Sequence, residues 1–115
     1  MKVDPVAVSL LCDYYGGLLT DTQRRCLAYY CDENYTLAEI AEREGISRQG
    51  VYATVARAGA ALVSYEEKLG CIRRARTNQS AREAIRTAAE RILERGGPSG
   101  ADAAAILDAL STMED

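Results

Sequence analysis

The sequence predicts an all-α fold, on three observations. Capping and breaking signals divide nearly the whole chain into segments whose apolar residues recur three and four apart. No segment alternates apolar and polar residues as a half-buried strand does. The composition has no Trp and no Phe, with seven Tyr and nineteen Ala in 115 residues. That suits small, closely packed helices. A chain of this length is of single-domain size and can bury a core without staples or metals.

Asp4 followed by Pro5 reads as an N-cap with proline at the first helical position. Val6, Leu10, Leu11 and Tyr14 continue at helical spacing until Gly16-Gly17, which gives a first helix over about residues 5–15. Thr20 and Gln23 form a capping box that opens a second helix, ending near Asn34. Thr36 and Glu39 form another, opening a short third helix that Gly45 stops. Ser47 caps a fourth helix at once, so the third and fourth must cross sharply.

From Ser47 the helical pattern runs on to about residue 95, with Gly59 and Gly70 weakening the helix without ending it. Val55, Ala58, Leu62, Tyr65, Leu69 and Ile72 alternate spacings of three and four, the rhythm of a coiled-coil seam. Such a seam can close a homodimer or pack back on the first two helices. The dimer is the preferred expectation, because so long a helix finds few partners within a short chain. Arg76 and Gln79 break the phase, which resumes at Ala81, Ile85, Ala88 and Ile92. Residues 96–100 (GGPSG) are a breaker, and Ala104, Leu107 and Leu110 line a short closing helix. The expected organisation is a helix-turn-helix domain over 1–72, a basic helical extension over 73–95, and a breaker with a closing helix over 96–115.

Several function classes are excluded early. The absence of histidine removes the commonest general base, the triads that depend on it and every mixed Cys/His zinc site. Cys12, Cys26, Cys31 and Cys71 show neither C-x-x-C nor regular spacing, and read as small core-filling thiols. No metal and no cofactor is expected. The adjacent pairs Glu66-Glu67 and Asp32-Glu33 point in different directions on a helix and make no acid/base dyad. Gly16-Gly17 lacks the Lys-Ser/Thr of a phosphate loop. No apolar run spans a membrane, and Asp4 and Pro5 stand where a signal peptide wants positive charge. The expectation is a cytoplasmic protein without enzymatic activity.

The net charge of -3 is unevenly spread. Residues 1–46 hold four basic and eight acidic groups, residues 47–95 hold ten and five, and residues 96–115 hold four acids and no base. Only the middle is able to face a polyanion. It begins inside residues 37–56 (LAEIAEREGISRQGVYATVA), which carry the pattern of a helix-turn-helix. Ala41 is small at the closest approach of the two helices, Gly45 supplies a positive φ, and Ile40, Ile46 and Val51 form the joint's small core. The bland alternative is a helical hairpin that never meets nucleic acid.

With Val51, Val55 and Ala58 inward, Gln49, Ala53, Ala56 and Arg57 face outward, flanked by Arg48 and Tyr52. Gln49 suits adenine, Arg48 or Arg57 suits guanine or phosphate, and the alanines offer only a methyl contact to thymine. The arginines at 73, 74, 76, 82, 86, 91 and 95 read equally as phosphate contacts or as a solvated helix face.

Residues 10–20 (LLCDYYGGLLT), Tyr29-Tyr30, 37–42 (LAEIAE), 47–52 (SRQGVY) and 65–70 (YEEKLG) together carry a resemblance. In order and spacing they resemble the YlxM family of helix-turn-helix regulatory proteins, encoded beside signal recognition particle genes. Residues 19–62 are also similar to region four of sigma factors. The resemblance implies an all-helical protein with a sigma-like DNA-binding unit and a link to signal recognition particle components. It puts Ser47, Arg48, Gln49 and Tyr52 at the start of the recognition helix. The chain departs from the pattern at Glu44, where an apolar residue is usual, at Thr54, where an aliphatic is usual, and at Gly50 in the first turn. The expected function is a DNA-binding regulator. The alternative is a non-catalytic protein- or RNA-interaction module of the targeting machinery that keeps the helix-turn-helix as scaffold.

Overall fold

Six α-helices follow one another in a computed structural model that describes residues 4–113. They are α1 (Pro5–Tyr15), α2 (Asp21–Cys31), α3 (Leu37–Glu44), α4 (Arg48–Leu69), α5 (Cys71–Arg95) and α6 (Gly100–Ser111), with one 3-10 turn at Gly16–Leu18. No strand occurs among the described residues, so the all-α expectation holds.

The local signals act as their chemistry requires. Asp4 accepts from the Val6 amide at 3.1 Å. Thr20 with Gln23, and Thr36 with Glu39, make both hydrogen bonds of a capping box. Helix α2 stops at Cys31, earlier than expected, and Asn34 takes a positive φ of 55° in the connection.

The chain forms two compact units, one up to Ile72 and one from Arg73 onward. In the first, α1, α2 and α3 all pack on α4. Leu27, Ile40, Val51, Val55, Leu62 and Cys26 are its largest fully buried side chains. Each buried Leu, Ile or Val contributes roughly 1.5–3 kcal/mol of transfer free energy.

This core overturns the expected dimer seam. Val55, Ala58 and Leu62 are wholly buried within the chain itself, Ile72 is nearly so, and Tyr65 packs at the edge of the same cluster. Leu69 instead stands 47% exposed. The three-four rhythm records a buried stripe, and the chain's own helices fill it.

Gly70 also differs from expectation. Its φ of 63° is left-handed, so α4 ends at Leu69 and a new helix begins at Cys71. The start of α5 is held by side chains from elsewhere. The Tyr15 hydroxyl accepts the Cys71 amide at 3.0 Å, and Glu66 Oε1 accepts the Ile72 amide at 3.0 Å.

In the second unit Arg82, Ala89, Ala103 and Leu110 are buried. Of the expected Ala81, Ile85, Ala88 and Ile92, only Ile92 is half-buried; the others are exposed, Ile85 by 47%, and the inward positions before Ile92 are Arg82, Arg86 and Ala89. Arg82 donates to Gln79 Oε1 at 2.6 Å, and Gln79 donates to Glu83 at 3.1 Å. On α6 the inward face runs Ala103, the half-buried Leu107 and Leu110, with Ala104 exposed. Gly96 and Gly97, at φ 69° and 97°, make the break between α5 and α6.

Candidate nucleic-acid interface

The joint between α3 and α4 is built from a glycine and a serine. Gly45 adopts φ 69° and ψ 32°, a conformation strained for residues with a side chain. Ala41 sits buried below the turn, and its carbonyl accepts the amides of Gly45 at 2.9 Å and Ile46 at 3.2 Å. Ser47 then accepts the Gly50 amide at 2.9 Å and starts α4. Ile40 and Val51 are buried, as the joint needs. Ile46 is not: it is 39% exposed and caps the rim of the joint instead of filling it.

The departures noted in sequence have local explanations. A side chain at Gly50 would set its Cβ 3.1 Å from Ser47 Oγ and 3.6 Å from Ile46 Cδ1, so glycine keeps the cap unobstructed. Thr54 returns its hydroxyl to the Gly50 carbonyl at 2.7 Å, which satisfies the polar atom within the helix. Glu44 pairs with Arg25 of α2 through contacts of 3.0 to 3.3 Å. The Arg25 hydrogen bond holds the Glu44 carboxyl below its ordinary value, and the same contact raises Arg25. An ion pair thus ties α2 to α3 where an apolar contact was expected.

Beyond the joint, α4 presents the proposed reading residues to solvent. Ser47, Arg48, Gln49, Tyr52, Ala56 and Arg57 are exposed, and Ala53 is half-buried. Leu37, Arg48, Gln49 and Tyr52 line one shallow depression, which brings the start of α3 beside the first turn of α4. Arg57 lies two turns further along. No carboxylate occurs between Glu44 and Glu66, so over this stretch α4 itself contributes only the positive charges of Arg48 and Arg57.

A second feature escaped the sequence reading. Tyr29 and Tyr35 stack with ring centres 5.4 Å apart, and the Arg43 guanidinium lies 4.6 Å from the Tyr35 ring. This cluster fixes the α2–α3 connection against α3. Tyrosines at 29 and 35 with an arginine at 43 gave no helical period by which to find it.

The arginines of residues 73–95 are mostly exposed, except that Arg86 is half-buried and Arg82 is buried. None of the four cysteines is bridged. Burial pushes the Cys12, Cys26 and Cys31 thiols up, so they favour the protonated form. Among the described residues no group of three or more Cys, Asp or Glu side chains gathers as metal ligands would. No helix among them is long and apolar enough to cross a membrane.

The pattern of one protein family, UPF0122, described as "Putative helix-turn-helix protein, YlxM / p13 like", matches residues 4–95. The chain belongs to this family. A UPF0122 protein of Thermoanaerobacter sp. is 43% identical over 95 residues, which cover 83% of this chain and 81% of that protein. One from Caldanaerobacter subterraneus is 47% identical over 74 residues, 64% of this chain and 63% of the relative. One from Acetivibrio thermocellus is 50% identical over 64 residues, 56% of this chain and 55% of the relative. The family match spans α1 through α5 and therefore includes the whole α3–α4 joint.

Proposed function

We propose that this chain is a non-enzymatic, cytoplasmic DNA-binding regulator that inserts the first turns of α4 into the major groove. The observation that carries the reading is the exposed set Arg48, Gln49, Tyr52 and Arg57 on a helix whose start is fixed by Gly45 and Ser47. Residues near the start of a recognition helix are those that reach base edges. Gln49 offers a paired donor and acceptor for adenine, and Arg48 a fork for guanine or a charge for phosphate. Arg57 adds a second positive charge along the same helix. Membership of a helix-turn-helix family supports the reading. The resemblance to proteins encoded beside signal recognition particle genes extends the proposal to regulation linked to that pathway.

A gel-shift survey of fragments from the source genome, repeated from 50 to 200 mM salt, tests it. A groove binder selects some fragments, and its affinity falls steeply as salt rises, because phosphate contacts release counterions. Uniform, salt-insensitive association, or none at all, sinks the proposal.

A further inference from the structure

We propose that the face between α1 and α4 is a docking groove for an amphipathic helix of another protein, apolar along its middle and basic at both ends. The groove encloses about 600 Å³. Its walls are small or aliphatic, with Ala7, Leu11, Ala56, Gly59, Ala60 and Val63 prominent among them. Ala7, Ala56, Ala60 and Val63 are exposed, and a Cβ added at Gly59 would meet nothing within 4 Å. Small side chains let another helix approach closely, and apolar ones reward it for doing so.

Charge identifies the occupant. Among the described residues, the polar ones of the lining are Asp4, Ser64 and Glu67: two carboxylates and no cation. The Tyr15–Glu66 hydrogen bond brings the C-terminal ends of α1 and α4 together. Asp4, at the start of α1, and Glu67, near the end of α4, therefore mark opposite ends of the groove. From Val55 to Glu67 helix α4 rises about 18 Å, the length of a helix of about twelve residues. A helix of that length with Lys or Arg at each end would meet both carboxylates while its apolar face fills the middle. The surrounding unit has the same sign, since residues 1–72 hold ten acidic and seven basic groups.

A second copy of this chain fits less well. Helix α6 is apolar but carries Asp102 and Asp108 and no cation, which would set like charges together. Helix α5 is basic, but residues 77–80 make its middle polar. The groove shares only Ala56 with the reading face of α4, and none of Asp4, Ala60, Val63 and Glu67 belongs to that face, so variants at these four positions test occupancy apart from DNA reading.

Fluorescence anisotropy with the full chain tests the proposal. The probes are two labelled amphipathic peptides, KKSLAQLLSQLAKK and its counterpart with Glu in place of every Lys. The Lys-ended peptide should bind at least about tenfold more tightly than the Glu-ended one, which complementary end charges make possible. Ala60→Arg, at an exposed position, should abolish binding with an unchanged circular dichroism melt. Val63→Lys serves the same purpose should that variant melt early. Asp4→Asn, which keeps a capping side chain, combined with Glu67→Gln should bring the two peptides to within about twofold. Equal affinities for the parent, no binding at all, or binding that survives the groove-filling variants would overturn the inference. So would a parent that sediments as a dimer and is dissociated by Ala60→Arg, because the occupant would then be a second copy.

Discussion

The Tyr15 hydroxyl donates a 2.6 Å hydrogen bond to Glu66 Oε1 across 51 positions of sequence. It also accepts the Cys71 amide, while the same Glu66 oxygen accepts the Ile72 amide. Two donors at the start of α5, left open by helix geometry, are thereby satisfied. Burial first, then the Glu66 hydrogen bond, pushes the Tyr15 phenol up to about 12 from its ordinary 10.

Tyr15→Phe should therefore lower stability, because it removes the hydrogen bonds to Glu66 and from the Cys71 amide. The sign of the pH dependence follows from the raised value. The stabilisation is complete below pH 10 and is lost as pH rises through about 12. Urea midpoints of parent and variant should differ by a constant amount from pH 7 to 9 and converge between pH 10 and 12. A constant gap across the whole range would contradict this account.

Leu62 and Leu69, on one expected stripe, should respond oppositely to truncation. Leu62 is fully buried, so Leu62→Ala should cost roughly 2–5 kcal/mol. Leu69 is 47% exposed, and Leu69→Ala should change stability by no more than about 0.5 kcal/mol. Equilibrium denaturation of the two variants gives the comparison directly.

Gly45→Val should destabilise the α3–α4 joint by about 1–3 kcal/mol, since a β-branched residue is strained at positive φ. For a unit this size each kcal/mol lowers the thermal midpoint by about 4–8 °C. Calorimetry that finds an unchanged midpoint would mean the turn is not left-handed.

Replacing Arg48 and Gln49 together with Ala should remove sequence preference and leave the melt unchanged, because both side chains are exposed. Loss of one bidentate base contact corresponds to about 1–3 kcal/mol of discrimination. If the double variant ranks genomic fragments as the parent does, other residues are the readers.

Glu44→Gln should weaken the fold at neutral pH and do so progressively less in acid. The carboxyl is held below its ordinary 4.5 by Arg25, so its contribution is fully present above pH 4.5. It is lost as pH falls through the lowered folded-state value. Denaturation midpoints of parent and variant should meet at the acid end of the range.

The parts legible in the sequence are those decided within a few residues. Thr20 with Gln23, Thr36 with Glu39, the Asp4 cap and Gly45 each act on their own turn, and each expected helix start is where the signal put it. What failed depended on distant partners. A stripe such as Val55, Ala58 and Leu62 shows that a face is buried but carries no label for what buries it. Gly70 looked tolerable inside a helix because the residues that stabilise a break there, Tyr15 and Glu66, are not both nearby in sequence. Glu44 looked out of place until Arg25, nineteen positions earlier, supplied its counter-charge. For the interface, exposure of Arg48, Gln49, Tyr52 and Arg57 followed from helical phase alone, whereas the exposure of Ile46 did not.

The glycine turn and serine cap ahead of α4 bear on the thermodynamics of association. Segments that fold only on contact bury large surfaces late and show a large negative heat-capacity change. Here the backbone under Arg48 and Gln49 is already helical and hydrogen-bonded at its first turn. Complex formation therefore freezes side chains and releases water and ions, with little backbone left to order. Calorimetric titration should accordingly return a heat-capacity change near that of rigid-body docking.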